Sequence, residues 1–272
     1  MQNVFYDVMP PAMLKSWIDD QQASGRYFFE RSAALHGSGL TPHAVTYALK
    51  QAVREGRIVQ LKEYAYVIVP LEYRAAGAPP PSWFIHDLMA SMKLPYYVGL
   101  LSAAALHGAS QQQPQVFQVL VDRTVRSIPV GRTKIQFFAS KYVTLASAKE
   151  MKTPTGLMRV STPETTVVDM VRFAKVSGHI DHVAALIKEL APLLDPKRLI
   201  AAARTVDDSP NAQRLGYILD QFRQRSLSDA LHAWVGPRIQ RAQLLRPGRP
   251  TAGATENRRW RLLINSLLEI SE

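Results

Sequence analysis

The 272-residue chain contains no cysteine. Disulfide bonds and thiolate metal sites are therefore excluded, and we expect a protein of the reducing cytoplasm. Long hydrophobic runs are missing too: the longest apolar stretch, residues 96–106, is far shorter than the roughly 20 residues that a membrane-spanning helix needs. Residues 1–11 lack a basic start and an apolar core, so they predict no secretory signal peptide and no membrane partner.

Catalytic motifs are equally scarce. The chain has no nucleophile elbow, no Walker phosphate-binding loop and no dinucleotide fingerprint. One nuclease-like set remains: Asp122 ends an apolar run, and Glu150 and Lys152 form an E-x-K about thirty residues later. Such residues hold Mg²⁺ and activate water when the E-x-K lies on a strand beside the first Asp. Here the E-x-K falls in a predicted polar connection. We therefore expect no enzyme, no metal and no cofactor, and keep a magnesium-dependent nuclease as an alternative.

What the chain does have is apolar residues for a core and an excess of positive charge. Its hydrophobic content is 47%, and its length favours two domains. The net charge of +11 favours a polyanionic partner. The charge is uneven, since residues 1–82 carry eight Lys or Arg and seven Asp or Glu, whereas residues 83–272 carry 25 and 15. A DNA-reading domain at the N-terminus would have to concentrate its cations on one face.

Residues 25–70 hold the clearest pattern in the chain. Residues 31–36 indicate a short helix that glycines close. Thr41 and Pro42 suit the cap and the first residue of a second helix, which runs to about residue 55. Its apolar residues recur at spacings of three and four and share one face: Val45, Ala48, Leu49, Ala52 and Val53.

Two β-rich runs, residues 58–61 and 64–69, follow and indicate a β-hairpin. Helix, turn, helix and hairpin in this order predict a winged helix-turn-helix, whose second helix fits the DNA major groove. Its outer face supplies base or groove contacts, and nearby cations supply phosphate contacts. The predicted DNA-binding residues are Arg31, Thr41, His43, Thr46, Tyr47, Lys50, Arg54 and Lys62. The alternative interpretation is a helix–hairpin unit that contacts another protein.

Residues 75–82, AAGAPPPS, predict a semi-rigid linker that fixes distance more than orientation. We therefore predict an α+β protein with a winged helix-turn-helix domain over residues 1–74 and a larger α+β domain over residues 83–272. The larger domain has a small sheet and a helical C-terminal half. Its predicted strands are residues 116–121, 133–139 and 156–161. Its predicted helices are residues 83–94, 96–107, 163–174, 180–190, 196–204, 212–223 and 228–235, followed by an irregular stretch, 238–250, and an apolar element, 260–268.

Three arginines, Arg258, Arg259 and Arg261, surround Trp260 near the end of the chain. Interleaved arginine and aromatic residues suit nucleic acid, because they pair with phosphates and stack on bases. They suit equally a tryptophan that anchors the tail to the core with arginines outside. The three arginines are a second candidate nucleic-acid patch, and the anchor is the favoured interpretation.

Four stretches carry a resemblance to a known family. They are YYVGLLSAAALHGAS (96–110), STPETTVVDMVRF (161–173), QRLGYILD (213–220) and GATENRRWRLLINSLLE (253–269). In their order and spacing, the chain resembles the AbiEi-family antitoxins of type IV toxin–antitoxin systems, which act in abortive infection and phage defence.

The resemblance implies a two-domain, non-enzymatic protein. Its N-terminal domain would bind inverted repeats in the double-stranded DNA of its own promoter and repress the operon. Its C-terminal domain would neutralise a toxin of the nucleotidyltransferase fold, and type IV neutralisation requires no stable complex. A plain transcriptional regulator without an antitoxin role is the alternative.

Overall fold

The computed structural model describes residues 10–109 and 115–268. Within these ranges the chain forms ten α-helices and twelve β-strands, in agreement with the predicted α+β class. None of the described helices is long and apolar enough to cross a lipid bilayer. The helices are α1 Pro10–Ala23, α2 Arg31–Ser38, α3 Pro42–Arg54, α4 Ile85–Ser91, α5 Leu100–Leu106, α6 Pro163–Arg172, α7 His179–Leu190, α8 Pro196–Val206, α9 Ser209–Gln221 and α10 Arg225–Val235. The strands are β1 Phe28–Glu30, β2 Ile58–Lys62, β3 Ala65–Ile68, β4 Tyr96–Val98, β5 Val116–Val121, β6 Ile128–Val130, β7 Thr133–Ala139, β8 Ala148–Thr153, β9 Gly156–Ser161, β10 Gln243–Leu244, β11 Thr255–Asn257 and β12 Leu262–Ile264.

The elements from α1 to β3 pack around an apolar core of their own. The predicted short helix, capped second helix and hairpin are all present, as α2, α3 and β2–β3. Gly39 ends α2 in the left-handed conformation, and Thr41 caps α3 by accepting a hydrogen bond from the backbone N–H of Ala44 at 3.4 Å. β1 pairs with β3 to complete a three-stranded sheet. The core residues are Leu14, Ile18, Phe29, Ala34, Val45, Ala48, Leu49, Ala52, Ile58, Tyr66 and Ile68.

A mixed six-stranded sheet, with strand order β6-β7-β5-β4-β9-β8, forms the middle of the chain. Strands β5, β7 and β9 coincide with the predicted ones. β8 lies where the sequence predicts a polar connection, so that prediction is wrong. The sequence AKEMKT lacks the apolar alternation of a half-buried strand, and none of the residues of this edge strand is fully buried. β8 forms a strand because all six of its residues pair with β9.

Residues 96–107, predicted as one helix, form strand β4 and helix α5 instead. Tyr96, Tyr97 and Val98 have side chains that favour strands, and they pair with residues 119–121 of β5. At Gly99 the chain leaves the strand: a Cβ there would lie 2.3 Å from the Leu120 side chain. Burial in the centre of the sheet outweighs the helical pattern of the stretch. The helix predicted over residues 83–94 is shortened to α4.

The C-terminal half is helical, as predicted, from α6 to α10. These helices, with α5, enclose the largest apolar cluster of the described residues. Three short strands follow, in the order β10-β12-β11, so the stretch predicted to be irregular contains β10 and the final apolar element contains β12.

The residues of the predicted linker are packed against the protein. Ala78 is buried, and the backbone N–H of Arg132 donates a hydrogen bond to the carbonyl oxygen of Ala76 at 2.9 Å. Leu61 and Val67 of the hairpin share an apolar cluster with residues of α4 and of the six-stranded sheet. These contacts hold residues 76–78 against the six-stranded sheet, while the linker and the domain boundaries remain predictions.

Candidate nucleic-acid interface

Helix α3 has one exposed side, formed by His43, Tyr47, Lys50 and Arg54. Spacings of four, three and four residues put these side chains in one row along the helix. Tyr47 exposes 57% of its surface, although the opposite side of α3 is buried in the core. Within the described ranges, no residue forms a hydrogen bond or ion pair with the side chain of Lys50 or Arg54. Their charges are therefore open to a partner.

Arg31 and Thr46, two further predicted contacts, lie side by side. A guanidinium nitrogen of Arg31 donates a hydrogen bond to the hydroxyl oxygen of Thr46 at 2.6 Å. The same hydroxyl donates to the carbonyl oxygen of Pro42 at 2.7 Å. Arg31, at the start of α2, is thus held beside α3. The hydroxyls of Thr46 and of Thr41, the helix cap, are both engaged within the protein.

Lys62 is the last residue of β2 and precedes the turn of the hairpin at Glu63 and Tyr64. Its side chain is half-buried, whereas Tyr64 exposes 41% of its surface. A register shift between Gln60 and Lys62 interrupts the pairing of β2 with β3. The hairpin thus ends in one cation, one exposed carboxylate and one aromatic residue.

Two ion pairs link α1 to the end of α3 and to the residue that precedes β2. Glu55 forms a salt bridge with Lys15 at 2.9 Å, and Asp19 forms one with Arg57. The hydrogen bond from Lys15 lowers the pKa of Glu55. Because these carboxylates are paired, they do not neutralise Lys50 and Arg54 of α3. The near-neutral charge count of residues 1–82 is therefore compatible with a positive α3 face.

The three C-terminal arginines are not equally exposed. Arg259 forms ion pairs with Asp220 and Asp229 and lies over the ring of Trp260, 5.4 Å from its centroid. Arg261 donates a hydrogen bond to the carbonyl oxygen of Ile239 at 3.2 Å. Arg258 is exposed.

Trp260 is completely buried, and its ring nitrogen donates a hydrogen bond to Asp220 Oδ2 at 2.6 Å. The prediction that it anchors the tail to the core is therefore confirmed.

The nuclease-like residues are spread across the sheet. Asp122 directly follows β5, whereas Glu150 and Lys152 lie on β8, and strands β4 and β9 separate β5 from β8. Asp122 forms its ion pair with the adjacent Arg123 at 3.3 Å. Within residues 10–109 and 115–268, no three or more His, Asp or Glu side chains cluster closely enough to hold a metal ion.

Sequence reasoning missed a buried polar network that joins β4 to α6. Tyr97 donates a hydrogen bond to Asp169 Oδ2 at 2.6 Å, and Arg172 donates to Asp169 Oδ1 at 2.7 Å. Burial raises the pKa of Asp169, although both hydrogen bonds act against the shift. Burial, with Asp169 beside it, also raises the pKa of Tyr97. The one available signal is an aspartate inside the apolar run VVDMV.

The fold resembles that of a solved protein over nearly its whole length. The crystal structure of the RV2827C protein from Mycobacterium tuberculosis superimposes with a TM-score of 0.66, covering 92% of this chain and 90% of that chain. The sequences are 12% identical, so the likeness concerns the fold alone. Among curated proteins, none matches this sequence.

The sequence of the middle of the chain matches a known protein family. Residues 97–221 match the model of the AbiEi antitoxin C-terminal domain. This range runs from β4 to the end of α9 and includes the buried network of Tyr97, Asp169 and Arg172. Over these residues the chain therefore carries an AbiEi antitoxin C-terminal domain.

Proposed function

We propose that the chain is a cytoplasmic, non-enzymatic, DNA-binding antitoxin of a type IV toxin–antitoxin system. It represses its own operon by binding inverted repeats in its promoter, and it neutralises a cognate toxin of the nucleotidyltransferase fold without needing a stable complex. The observation that carries the proposal is the exposed row of His43, Tyr47, Lys50 and Arg54 on a capped helix, in a chain with an AbiEi antitoxin domain.

The DNA-binding part of the proposal assigns a winged helix-turn-helix to the elements from α2 to β3. In this assignment α3 is the recognition helix and the β2–β3 hairpin is the wing. Lys50 and the other exposed residues of α3 reach base edges, while Arg31, Arg54 and Lys62 contact phosphates. The ion pairs of Glu55 and Asp19 support this assignment, because their own partners, Lys15 and Arg57, neutralise these two carboxylates.

The matched domain over residues 97–221 supports the antitoxin part of the proposal. We assign toxin neutralisation to this domain and operator binding to α3, so the two activities separate by mutation. Full-length variants are required, because Leu61 and Val67 of the hairpin pack with residues beyond the linker. A fragment cut at residue 82 would expose this apolar cluster.

The test uses a promoter reporter and a toxin co-expression assay in the same cells. Full-length protein should repress a reporter that carries the DNA upstream of its own gene and restore growth when the toxin is induced. Lys50→Ala should release repression but retain rescue when expressed from an independent promoter. Repression without rescue would instead identify a plain transcriptional regulator, and rescue without repression would refute the DNA-binding assignment.

A further inference from the structure

A cavity of about 790 Å³ opens in the C-terminal half of the protein, outside the residues assigned to DNA binding. Its walls are the end of α6 and the loop that follows it, the start of α7, α9, and residues 245–249. The volume lies within the range of small-molecule sites. We call it the basic pocket.

Cations line the basic pocket from three separate parts of the chain. They are Arg172, Lys175, Arg214, Arg246 and Arg249. Asp181 is the one carboxylate among the described lining residues, and Asp169 lies behind Arg172 and pairs with it. The wall is thus positive even after both carboxylates are counted. A cavity of this charge favours an anionic ligand.

Arg246 carries a donor that has no acceptor. The residue is buried, since only 7% of its surface is exposed. Its two terminal nitrogens donate to Asp181 and to the carbonyl oxygen of Leu267, which hold the guanidinium in place. Its Nε is also buried, but none of the described residues accepts a hydrogen bond from it. A buried donor without an acceptor is unfavourable, so an acceptor that reached this N–H would be stabilising.

Arg214 is a second buried cation at the pocket. It donates to the carbonyl oxygen of Leu244 at 3.0 Å and to the side-chain oxygen of Asn211 at 2.8 Å. Both acceptors are neutral, so neither balances its charge. Burial lowers the pKa of Arg214, an effect that the charge of Asp208 opposes. A bound anion would stabilise the charged guanidinium further.

The start of α7 adds to the positive character of the pocket. Gly178 and His179 both have left-handed backbone angles, with φ of 81° and 67°, where the chain turns into this twelve-residue helix. The first N–H groups of a helix carry partial positive charge that favours phosphate. In α7 the N–H of His179 itself already donates a hydrogen bond to the carbonyl oxygen of Ala174 at 2.7 Å, so the contribution is the field of the helix end. Apolar residues complete the wall: Phe173, Ile180, Leu245 and Pro247.

We propose that the basic pocket binds a nucleotide, whose phosphates interact with Arg214, Arg246 and Arg249 and whose base packs against the apolar wall. A mononucleotide combines the several negative charges and the flat apolar body that this lining suits. Arg214 and Arg246 are buried, and buried arginines in a cavity fit a small ligand better than a nucleic-acid backbone, which binds exposed cations along a groove. The proposal is independent of operator binding by α3.

The test is isothermal titration calorimetry of the full-length protein with ATP and GTP, compared with adenosine, inorganic triphosphate and a short single-stranded oligonucleotide. A nucleotide should bind more tightly than adenosine and than triphosphate, because only the nucleotide offers both phosphates and a base. Arg214→Gln should weaken binding by about tenfold or more, since it removes a charge-assisted contact. Because Arg214 is buried, a second variant is needed that leaves the core intact.

The double variant Lys175→Ala/Arg249→Ala meets this need, since both residues are exposed. It should weaken nucleotide binding, whereas the matched pair Lys134→Ala/Lys149→Ala, on exposed positions of the six-stranded sheet, should not. Equal weakening by the two pairs would show non-specific charge attraction and overturn the proposal. So would binding of the oligonucleotide alone, or no binding by any nucleotide.

Discussion

A close contact between Gly216 and Trp260 joins the two stretches QRLGYILD and RRWRLL. Gly216 lies inside α9, where a Cβ would come within 2.1 Å of the Trp260 ring. The ring is completely buried, and its nitrogen bonds to Asp220, one turn further along α9. We therefore predict that the two positions are strongly coupled in stability.

The magnitudes follow from this geometry. Trp260→Ala should lower the free energy of unfolding by about 3–5 kcal/mol, as for other buried aromatic residues. Gly216→Ala alone gains about 1 kcal/mol of helix propensity but overpacks the ring at a cost of about 1–3 kcal/mol, so it should be neutral or destabilising. Once the ring is removed, only the gain remains, and Gly216→Ala should stabilise the Trp260→Ala protein by about 1 kcal/mol.

Urea unfolding of the wild type, both single variants and the double variant forms the assay, with the m-value as a check on two-state behaviour. The control repeats Gly216→Ala in a Leu14→Ala background, where Leu14 belongs to the separate N-terminal core. There the two effects should add, because the sites share no partner. If Gly216→Ala has the same effect with and without Trp260, the ring does not limit this position and the reasoning is refuted.

Three further predictions follow. Thr41→Ala should destabilise the protein by about 1 kcal/mol, because α3 loses its cap; denaturant unfolding measures this, and an unchanged midpoint would contradict it. Lys62→Ala should weaken binding to all DNA sequences alike and reduce the salt slope by about 1; titrations at several salt concentrations measure the slope, and loss of sequence discrimination would contradict the phosphate role. Burial raises the pKa of Asp169, so the folded state still holds a proton at the pH, near 4, where the unfolded chain releases it. The free energy of unfolding should therefore fall as the pH rises from about 4 to the raised pKa of the folded state. Asp169→Asn should remove this dependence, as unfolding at several pH values would show; an unchanged pH profile would contradict it.

Local signals made the N-terminal unit predictable. The glycines after α2, the Thr41–Pro42 cap and the three-and-four spacing of apolar residues on α3 are all short-range features. Each depends on the backbone requirements of a few neighbouring residues. The bounds of α3 and of the hairpin therefore agree with the structure to within one or two residues.

Long-range pairing accounts for the errors. Residues 96–98 become a strand only because β5 and β9, far along the chain, pair with them. Edge strand β8 has no apolar face of its own, so nothing in its sequence distinguishes it from a polar loop. The contact of Ala76 with Arg132 was not predictable for the same reason, since prolines alone do not indicate which distant residue packs against them.

For the candidate DNA-binding residues, the sequence predicts which side chains of α3 are exposed but not the hydrogen bonds that they form. The exposed row on α3 follows from helical spacing. The hydrogen bond between Arg31 and Thr46 does not, because these residues lie on different helices. The basic pocket was missed entirely, since its cations come from segments up to 77 residues apart, from Arg172 to Arg249.

The most direct test of the central claim is a gel shift of the full-length protein on the DNA upstream of its own gene, with random DNA as competitor and salt varied. We predict a sequence-selective shift. Lys50→Ala should lower the difference in binding free energy between the operator and random DNA by about 1–3 kcal/mol. Lys134→Ala, which removes the same charge elsewhere, should leave this difference unchanged. A shift that random DNA competes away equally, or that Lys134→Ala weakens as much as Lys50→Ala, would contradict the account of α3 as the reader of the operator.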